Sequence, residues 1–559
     1  MKLLLFSAGL CLALAITPAR GDTNFFPVTL EVHAGQSLGP LTPTWRFFGY
    51  DEADYTYMKD GKKLLSELGA LEGPQVFIRC HHLLTSGDGA YSLKFSSTSA
   101  YKEDANGNPV YDWSINDKIF DTYLARGLKP YVEIGFMPEA LSTHPQNYPQ
   151  HPPVNDRAPV DGGQAYPPKD YAKWEELVYQ WTKHCVARYG ADEVAKWYWE
   201  TWNEPNISYW KASREDYFKL YDYSVAGVRR ALPNAKVGGP ETAGGPGGHF
   251  LAEFLTHCAT GTNYATGRVG SPLDFISFHA KGSPQWVDGH VRMGMAHQFE
   301  NINDAFSVIA AFPQFKGLPI VIGESDPEGC AACNDPQDGY RNGTLYASYT
   351  AASFPRELEL AARYGVNFEG ALTWAFEFED QPPFAGYRAL ASDGIDLPVL
   401  NVFRMFSKMS GDRVAVEGGT GYDAEKILDG GVRTTPDVNA LAAYDKTKSQ
   451  FTVLVWHYHD DDVPGPDAAV DLVFDQLPLK NGRATLTQYR IDADHSNAYE
   501  TWLHMGSPQM PTEKQYSQLE KAGQLVQFGK PLKLFIRDGK ADIHFILPCH
   551  GVSLFVINL

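Results

Sequence analysis

Two glutamates in this 559-residue sequence stand where a carboxylate can do chemistry. Glu204 closes WYWETWNEPN (197–206), and Glu324 lies in PIVIGESDPEG (319–329). A charge at the end of so apolar a run is costly unless it has work to do. A single carboxylate at a strand end is usually a surface charge. Two that face one another are the minimum set for cleaving a glycosidic bond: one protonates the leaving oxygen, and the other, ionised, attacks the sugar. Tyr198, Trp199 and Trp202 are candidates for the apolar surround that keeps an acid protonated. Asn203 is placed to bond a sugar 2-hydroxyl, a contact that strengthens in the transition state. Glu200 is no partner for Glu204: a strand rises ~3.3 Å per residue, so it lies deeper in the fold.

Both glutamates need a frame that turns them inward. From residue 45 to 400 eight apolar runs alternate with helical stretches. The runs are WRFFGYDEAD (45–54), QVFIRCHHL (75–83), KPYVEIGFMPEAL (129–141) and KWYWETWNEPN (196–206). They continue with AKVGGPETAG (235–244), PLDFISFHAKG (272–282), LPIVIGESDPEG (318–329) and FEGALTWAFEFED (368–380). The segment SREDYFKLYDYSVAGVRRAL (213–232) is a typical partner, with Ser213 as N-cap, Asp216 three residues on and apolar residues at helical spacing. The pattern predicts an α/β fold, a (β/α)8 TIM barrel over residues 45–405. Chemistry in that fold sits at the C-terminal ends of the strands, where Glu204, His279 and Glu324 fall. Residues 406–559 read as short alternating strands with turn signals, a C-terminal antiparallel β-sandwich domain. The segment 22–44 carries a strand, NFFPVTLEVHAG, expected to join that sheet. HYHDDD (457–462) reads as a solvated loop in preference to a cation site.

Residues 1–21 have a short basic start, fourteen apolar residues and small residues near a cleavage point. They read as a signal peptide, which makes the product secreted or periplasmic. No later segment reaches the ~18 apolar residues of a membrane span. A net charge of −19 with no basic run argues against nucleic acid as a partner. The chemistry calls for no cofactor and no metal, and the partner it implies is an oligosaccharide substrate; oligomeric state is not written in the sequence. Cys330-Ala-Ala-Cys333 is the only close cysteine pair, a candidate for a loop-closing local disulfide in preference to a redox or zinc site, which would want a second cluster. Two sequons occur, Asn206-Ile-Ser208 and Asn342-Gly-Thr344.

With these residues in hand the sequence resembles glycoside hydrolase family 39, the family of β-xylosidases and α-L-iduronidases. EIGFMPEAL, WNEPNISYW, KVGGPETAG, DFISFHAKG and the ESDPEG strand carry the likeness, which extends through RIDADHSNAYETWLHMGSPQMPT. The resemblance implies that Glu204 is the acid/base and Glu324 the nucleophile of a retaining enzyme. It also implies that His81, Asn203 and His279 line the sugar subsite. His279-Ala-Lys281-Gly resembles the iduronidase pattern, in which the Lys meets a sugar carboxylate; pairing of Lys281 with a neighbour such as Asp380 or Glu328 is the competing expectation. Asp380 matches an iduronidase sugar contact, and Arg388 lies near, without matching, the carboxylate-binding Arg. Trp374 on the eighth run is either barrel packing or a sugar platform. The reading that results is a secreted exo-β-D-xylosidase acting on xylo-oligosaccharides. Its alternatives are an iduronidase-like hydrolase and a catalytically silent carbohydrate-binding protein.

Overall fold

The computed structural model describes residues 25–149 and 161–559, so the expected signal peptide lies outside the described residues. The first strand, β1 (Phe25–Pro40), precedes the barrel. Eight parallel strands then close on themselves in chain order: β2 (Phe47–Tyr50), β3 (Phe77–Cys80), β4 (Lys129–Ile134), β5 (Tyr198–Thr201), β6 (Lys236–Thr242), β7 (Phe275–Lys281), β8 (Ile320–Asp326) and β9 (Phe368–Thr373). Each falls inside one of the eight apolar runs. Their residues are buried almost throughout, as strands covered by helices outside and by side chains inside must be.

Helices between the strands form the outer layer: α1 (Lys59–Gly69), α2 (Ser114–Leu124), α3 (Tyr171–Tyr189), α4 (Arg214–Ala231), α5 (Phe250–Thr260), α6 (Met295–Ala310), α7 (Thr344–Tyr364) and α8 (Pro398–Ser407). α4 starts where the sequence predicts. The Ser213 hydroxyl accepts from the Asp216 backbone N–H, and the Asp216 side chain returns the bond to the Ser213 backbone. Such a cap contributes ~1 kcal/mol.

Because residues two apart on a strand share a face, each strand builds the barrel interior in layers. β3 contributes Phe77, then Arg79, and its tip His81; β7 contributes Phe275, Ser277, His279 and Lys281. The floor is aromatic. Phe47 stacks on Phe77 at 5.3 Å, Tyr131 on Tyr198 at 5.1 Å, and Phe275 meets Tyr198 edge-on at 5.0 Å. Above that floor the interior turns ionic.

Beyond the barrel, nine strands join β1 in one sheet that wraps its own core: β10 (Asp412–Gly418), β11 (Asp437–Asp445), β12 (Gln450–Tyr458), β13 (Asp467–Asp475), β14 (Gly482–Ile491), β15 (Val526–Gln527), β16 (Leu532–Ile536), β17 (Ala541–Leu547) and β18 (Val552–Asn558). The order is β15-β14-β18-β12-β11-β10-β1-β13-β17, with β16 on β14. Leu30, Val32, Phe451, Val453, Leu472, Phe474 and Phe555 lie at the centre of that core. One pair departs from an antiparallel sheet: β1 runs parallel to β13, from Phe25 opposite Asp467 to His33 opposite Asp475. No hairpin links two strands so far apart in sequence, so nothing forces them to oppose.

The sheet and the barrel are locked together at α7. Arg356 reaches Asp437 on β11 at 3.2 Å, its guanidinium lies 5.6 Å from the Trp456 ring, and the Trp456 indole donates to Asp437 at 2.9 Å. Among the described residues no helix is long and apolar enough to cross a membrane.

Candidate active site

Glu204 lies just past β5, in a backbone kink. Trp202 and Glu204 both adopt positive φ, 75° and 44°, conformations that cost a residue with a side chain ~1–3 kcal/mol. The kink is held by the Glu204 N–H donating to the Glu241 carbonyl at 3.0 Å and by the Ile207 N–H donating back to the Glu204 carbonyl at 3.1 Å. The tryptophans do not form the expected apolar pocket. Tyr198 belongs to the barrel floor, Trp197 and Trp199 pack outward with Phe120 and Trp181, and only Trp202 stays at the rim. Trp202 there supports Phe136, on which Tyr209 stacks at 5.7 Å. The carboxylate of Glu204 meets a histidine instead: His279 Nδ1 lies 2.9 Å from its Oε1.

Glu324 lies on β8, opposite His279 in the register of β8 and β7. Lys281 Nζ donates to its Oε2 at 2.6 Å. Its Oε1 faces Arg79 Nη1 at 3.5 Å, His279 Nδ1 at 3.7 Å and His81 Nε2 at 4.0 Å. Burial alone would raise its pKa, but the positive charges of His279, Lys281, His81 and Arg79 outweigh burial and hold it well below the usual carboxylate range. His279 is the mirror case. Burial favours its neutral ring, yet Glu324, Glu241 and Glu204 together push it up to about 10, so it stands as an imidazolium among three carboxylates. Its Nδ1 serves Glu204 and Glu324 at once, and its Nε2 lies 2.8 Å from Glu241.

Beneath this pair runs an ionic layer. Arg79 donates from Nε to Glu200 at 2.7 Å and from Nη2 to Asn203 at 3.1 Å, and it also pairs with Glu133 at 2.9 Å. Tyr131 and Ser277 each donate a hydroxyl to Glu200 at 2.7 Å. Burial, and after it the charge of Glu241, raises the Glu200 pKa well above normal. Glu241 is itself driven up by burial but brought down to about 2 by His279, by its bond to Glu200 and by Arg79. Gly323 makes room for this arrangement, since a Cβ there would lie 1.9 Å from the Glu241 carboxylate.

The structure gathers most of the residues singled out from sequence. His81 Nδ1 shares a hydrogen bond with Glu133 at 2.6 Å, and its ring lies 4.4 Å from that of Trp374. Asn203 sits with its Oδ1 on Arg79, leaving Nδ2 without a partner in a buried position. Trp374 donates its indole N–H to Asp51 at 3.1 Å and its backbone N–H to Asp326 at 2.9 Å, and only 2% of it is exposed. Lys281 pairs with carboxylates, but with Glu324 and with Asp326 at 2.5 Å, not with Asp380 or Glu328. Glu328 is occupied by Arg341 at 2.6 Å and by Arg388, which also faces Asp326 at 3.5 Å. Asp380 stands apart, exposed at positive φ, accepting from the Tyr91 hydroxyl.

Several residues of the cluster escape the sequence reading: Asp51, Arg79, Glu133, Glu241, Asp326 and Tyr209. Period two points to Arg79, two before His81, and to Asp326, two after Glu324. Asp51 ends the first apolar run and accepts from Lys94 at 2.5 Å. Glu133, inside the third apolar run, is fully buried under His81. Cys330 and Cys333 form a disulfide in the loop beyond β8, and Arg341 donates to the Cys330 carbonyl at 2.6 Å. Both sequons are engaged in the fold: Asn206 donates to the Ala243 carbonyl at 3.0 Å, and Asn342 to the Phe384 carbonyl at 3.0 Å. Among the described residues no group of three or more His, Cys, Asp or Glu is arranged to hold a metal ion.

This architecture is matched in known proteins. A β-xylosidase of Geobacillus stearothermophilus is 28% identical over 463 residues, covering 80% of this chain and 79% of that one. An α-L-iduronidase of Mus musculus is 25% identical over 566 residues, covering 94% and 80%. The crystal structure of the GH39 enzyme from Xanthomonas axonopodis pv. citri shares the fold with a TM-score of 0.73 at 22% identity, over 97% of this chain and 99% of that one. The model of glycosyl hydrolases family 39 matches residues 28–533, nearly the whole chain, and the protein belongs to that family of glycosidases.

Proposed function

We propose that the protein is an exported, retaining exo-β-D-xylosidase that releases xylose from xylo-oligosaccharides. The observation that carries the retaining reading is the shared imidazole. One nitrogen of His279 lies within 4 Å of both carboxylates, which suits the ~5–5.5 Å pair of a retaining enzyme better than the ~6.5–9.5 Å of an inverting one. Glu324, held ionised by its ring of cations, attacks the anomeric carbon while Glu204 protonates the leaving oxygen. The glycosyl ester that forms on Glu324 is then opened by water, from which Glu204 takes a proton. Asn203 has its amide NH2 free for the sugar, and Trp374, His81 and Tyr209 wall the subsite. The basic start and apolar run of residues 1–21 support export.

The choice of a neutral sugar rests on charge. Around the β8 rim Lys281 is taken by Glu324 and Asp326, Arg388 by Glu328 and Asp326, and Arg341 by Glu328. Among these three cations none is left over for a sugar carboxylate. The β-xylosidase of Geobacillus stearothermophilus is the relative that fits. A second reading, hydrolysis of α-L-iduronides, has one observation in its favour: Lys281 touches the nucleophile and could exchange Asp326 for an incoming carboxylate. Aryl β-D-xyloside and aryl α-L-iduronide, assayed side by side with the first-released anomer followed by NMR, separate the two. Xyloside turnover with retention is expected; faster iduronide turnover overturns the sugar, and an inverted first product overturns the mechanism.

A further inference from the structure

Directly after Lys281 the chain leaves β7 as a short hairpin, Gln285–Val287 paired with His290–Arg292. Its turn is Asp288-Gly289, with both residues at positive φ (50° and 87°), the geometry of the tightest two-residue hairpin turns. Its feet are clamped. Gly282 N–H donates to the Asp326 carbonyl at 2.9 Å, and a Cβ on Gly282 would lie 2.3 Å from the Pro327 carbonyl and 3.1 Å from that of Gly294. Its second strand is bolted to the sandwich by the acidic cluster that reads from sequence as a solvated loop. Arg292 donates from Nε to Asp461 at 2.5 Å, and His290 Nε2 lies 3.2 Å from the same carboxylate. Met293 N–H donates to the Asp460 carbonyl at 2.7 Å, and Asp462 N–H to that of Val291 at 2.9 Å.

What this rigid arm carries is a tryptophan. Trp286 sits opposite Val291 on the hairpin; Val291 is buried, while 52% of Trp286 is exposed. Among the described residues no aromatic ring stacks on it. It lies five residues beyond Lys281, whose ammonium touches Glu324, so at ~3.3–3.6 Å per residue its Cα stands no more than about 18 Å from that of Lys281. An indole so exposed on a braced hairpin at the barrel mouth is a large, stiff apolar plate with little conformational entropy to lose on meeting a partner. The apolar face of a pyranose ring is the partner that the adjacent active site supplies.

We infer that Trp286 is a stacking platform for the leaving-group side of the substrate, the second or third sugar beyond the scissile bond, and that the sandwich domain sets the platform's position through Asp461. This rests on the glycosidase reading of Glu204 and Glu324 and adds to it a site for chain length.

The test compares kcat/KM on xylobiose, xylotriose and xylotetraose for wild type, Trp286→Ala and Trp286→Tyr. The gain from xylobiose to xylotetraose in wild type should shrink roughly tenfold in Trp286→Ala, the scale of one buried aromatic anchor, and return in large part in Trp286→Tyr. Arg292→Met, which loosens the arm without removing the ring, should shrink it less. No gain with length in wild type, or an equal gain in Trp286→Ala, overturns the platform. Should wild type cleave no xyloside, the sugar assignment is what fails. The platform is then read by calorimetry on Glu324→Gln with oligosaccharides of the sugar that is cleaved, where equal affinity with and without Trp286→Ala overturns it. A wild type that dimerises and a Trp286→Ala that does not, in sedimentation without sugar, would make the ring a contact between copies and overturn it as well.

Discussion

The two glutamates at the tips of β5 and β8 are the same residue type at equivalent places in the barrel, yet their surroundings differ sharply. Glu324 has a side chain only 9% exposed and faces Arg79, Lys281 and His279, with His81 beside them; Glu204 is 14% exposed and bonds one ring nitrogen. A carboxylate ringed by positive charge cannot hold a proton and keeps its lone pairs aimed at whatever approaches. Glu204, slightly more exposed, meets the single charge of His279. Residue type alone therefore does not set the two apart; the neighbours on the surrounding strands do.

The sharpest way to break this comparison is to delete each carboxylate in turn. Glu324→Ala should cost on the order of 10⁴-fold or more in kcat on every substrate, as loss of a nucleophile does. Added azide should then enter the vacated space and yield a glycosyl azide of inverted configuration. Glu204→Ala should cost ~10²–10⁴-fold on substrates with poor leaving groups. On dinitrophenyl glycosides its first step should be nearly spared, so that the covalent intermediate accumulates and is seen by intact mass. Equal losses on all leaving groups in both variants would mean that the two surroundings do not mark two roles.

Most of this site is legible without coordinates, and the part that is not has a common cause. The strand tips stand out because barrel strands are apolar throughout, so a Glu or His that ends one draws the eye; Glu204, His279 and Glu324 are visible that way. The layer beneath is hidden by the same logic. Arg79 and Glu133 sit inside apolar runs and look like interruptions, although period two points them at the tips they support. Spacing puts Lys281 at the mouth but suggests the wrong partners, because Asp326, opposite it on the neighbouring strand β8, competes at 2.5 Å where Asp380 does not reach. In the sandwich the alternation of residues reveals the strands, while the parallel pairing of β1 with β13 depends on contacts across the whole chain. Asp460 and Asp461 look solvent-facing in sequence because their partners, Met293 and Arg292, belong to another domain.

An intermediate effect sits on the residue that joins the two surroundings. His279→Gln keeps a donor but removes a charge, and leaves Glu241 buried without its cation, a loss of ~3–5 kcal/mol for a broken buried pair. Because its folded pKa is raised to about 10 from 6.5, the stability His279 provides is fully present below pH 6.5. That stability drains away as the pH climbs through 10. Denaturant unfolding of wild type should therefore show stability falling over this alkaline window, and His279→Gln should show a flatter profile there from a lower starting point. Parallel profiles would mean that His279 is neutral in the folded protein.

The smallest expected effect is the most informative about the sugar. Lys281 shares Glu324 with the cations of Arg79 and His279, so its removal in Lys281→Met leaves the carboxylate ionised near neutrality. Facing xylose, which carries only hydrogens at C5, the ammonium offers at most a neutral hydroxyl contact of ~0.5–1.5 kcal/mol, so kcat/KM on an aryl xyloside should fall by less than about tenfold. The pH profile should move as well, and its sign is fixed. Taking a cation away from a depressed carboxylate raises its pKa, so the pH below which activity is lost should shift upward, toward neutrality, in the variant. Facing a uronic acid, the same ammonium would make a charge-assisted bond of ~1.5–3 kcal/mol, and Lys281→Met would cost about 10- to 150-fold on that substrate. A small loss on the xyloside with an upward shift of the acid limb keeps Lys281 as a partner of Glu324. A collapse confined to an iduronide, on an enzyme that prefers it, would move Lys281 from the nucleophile's surroundings to the substrate's.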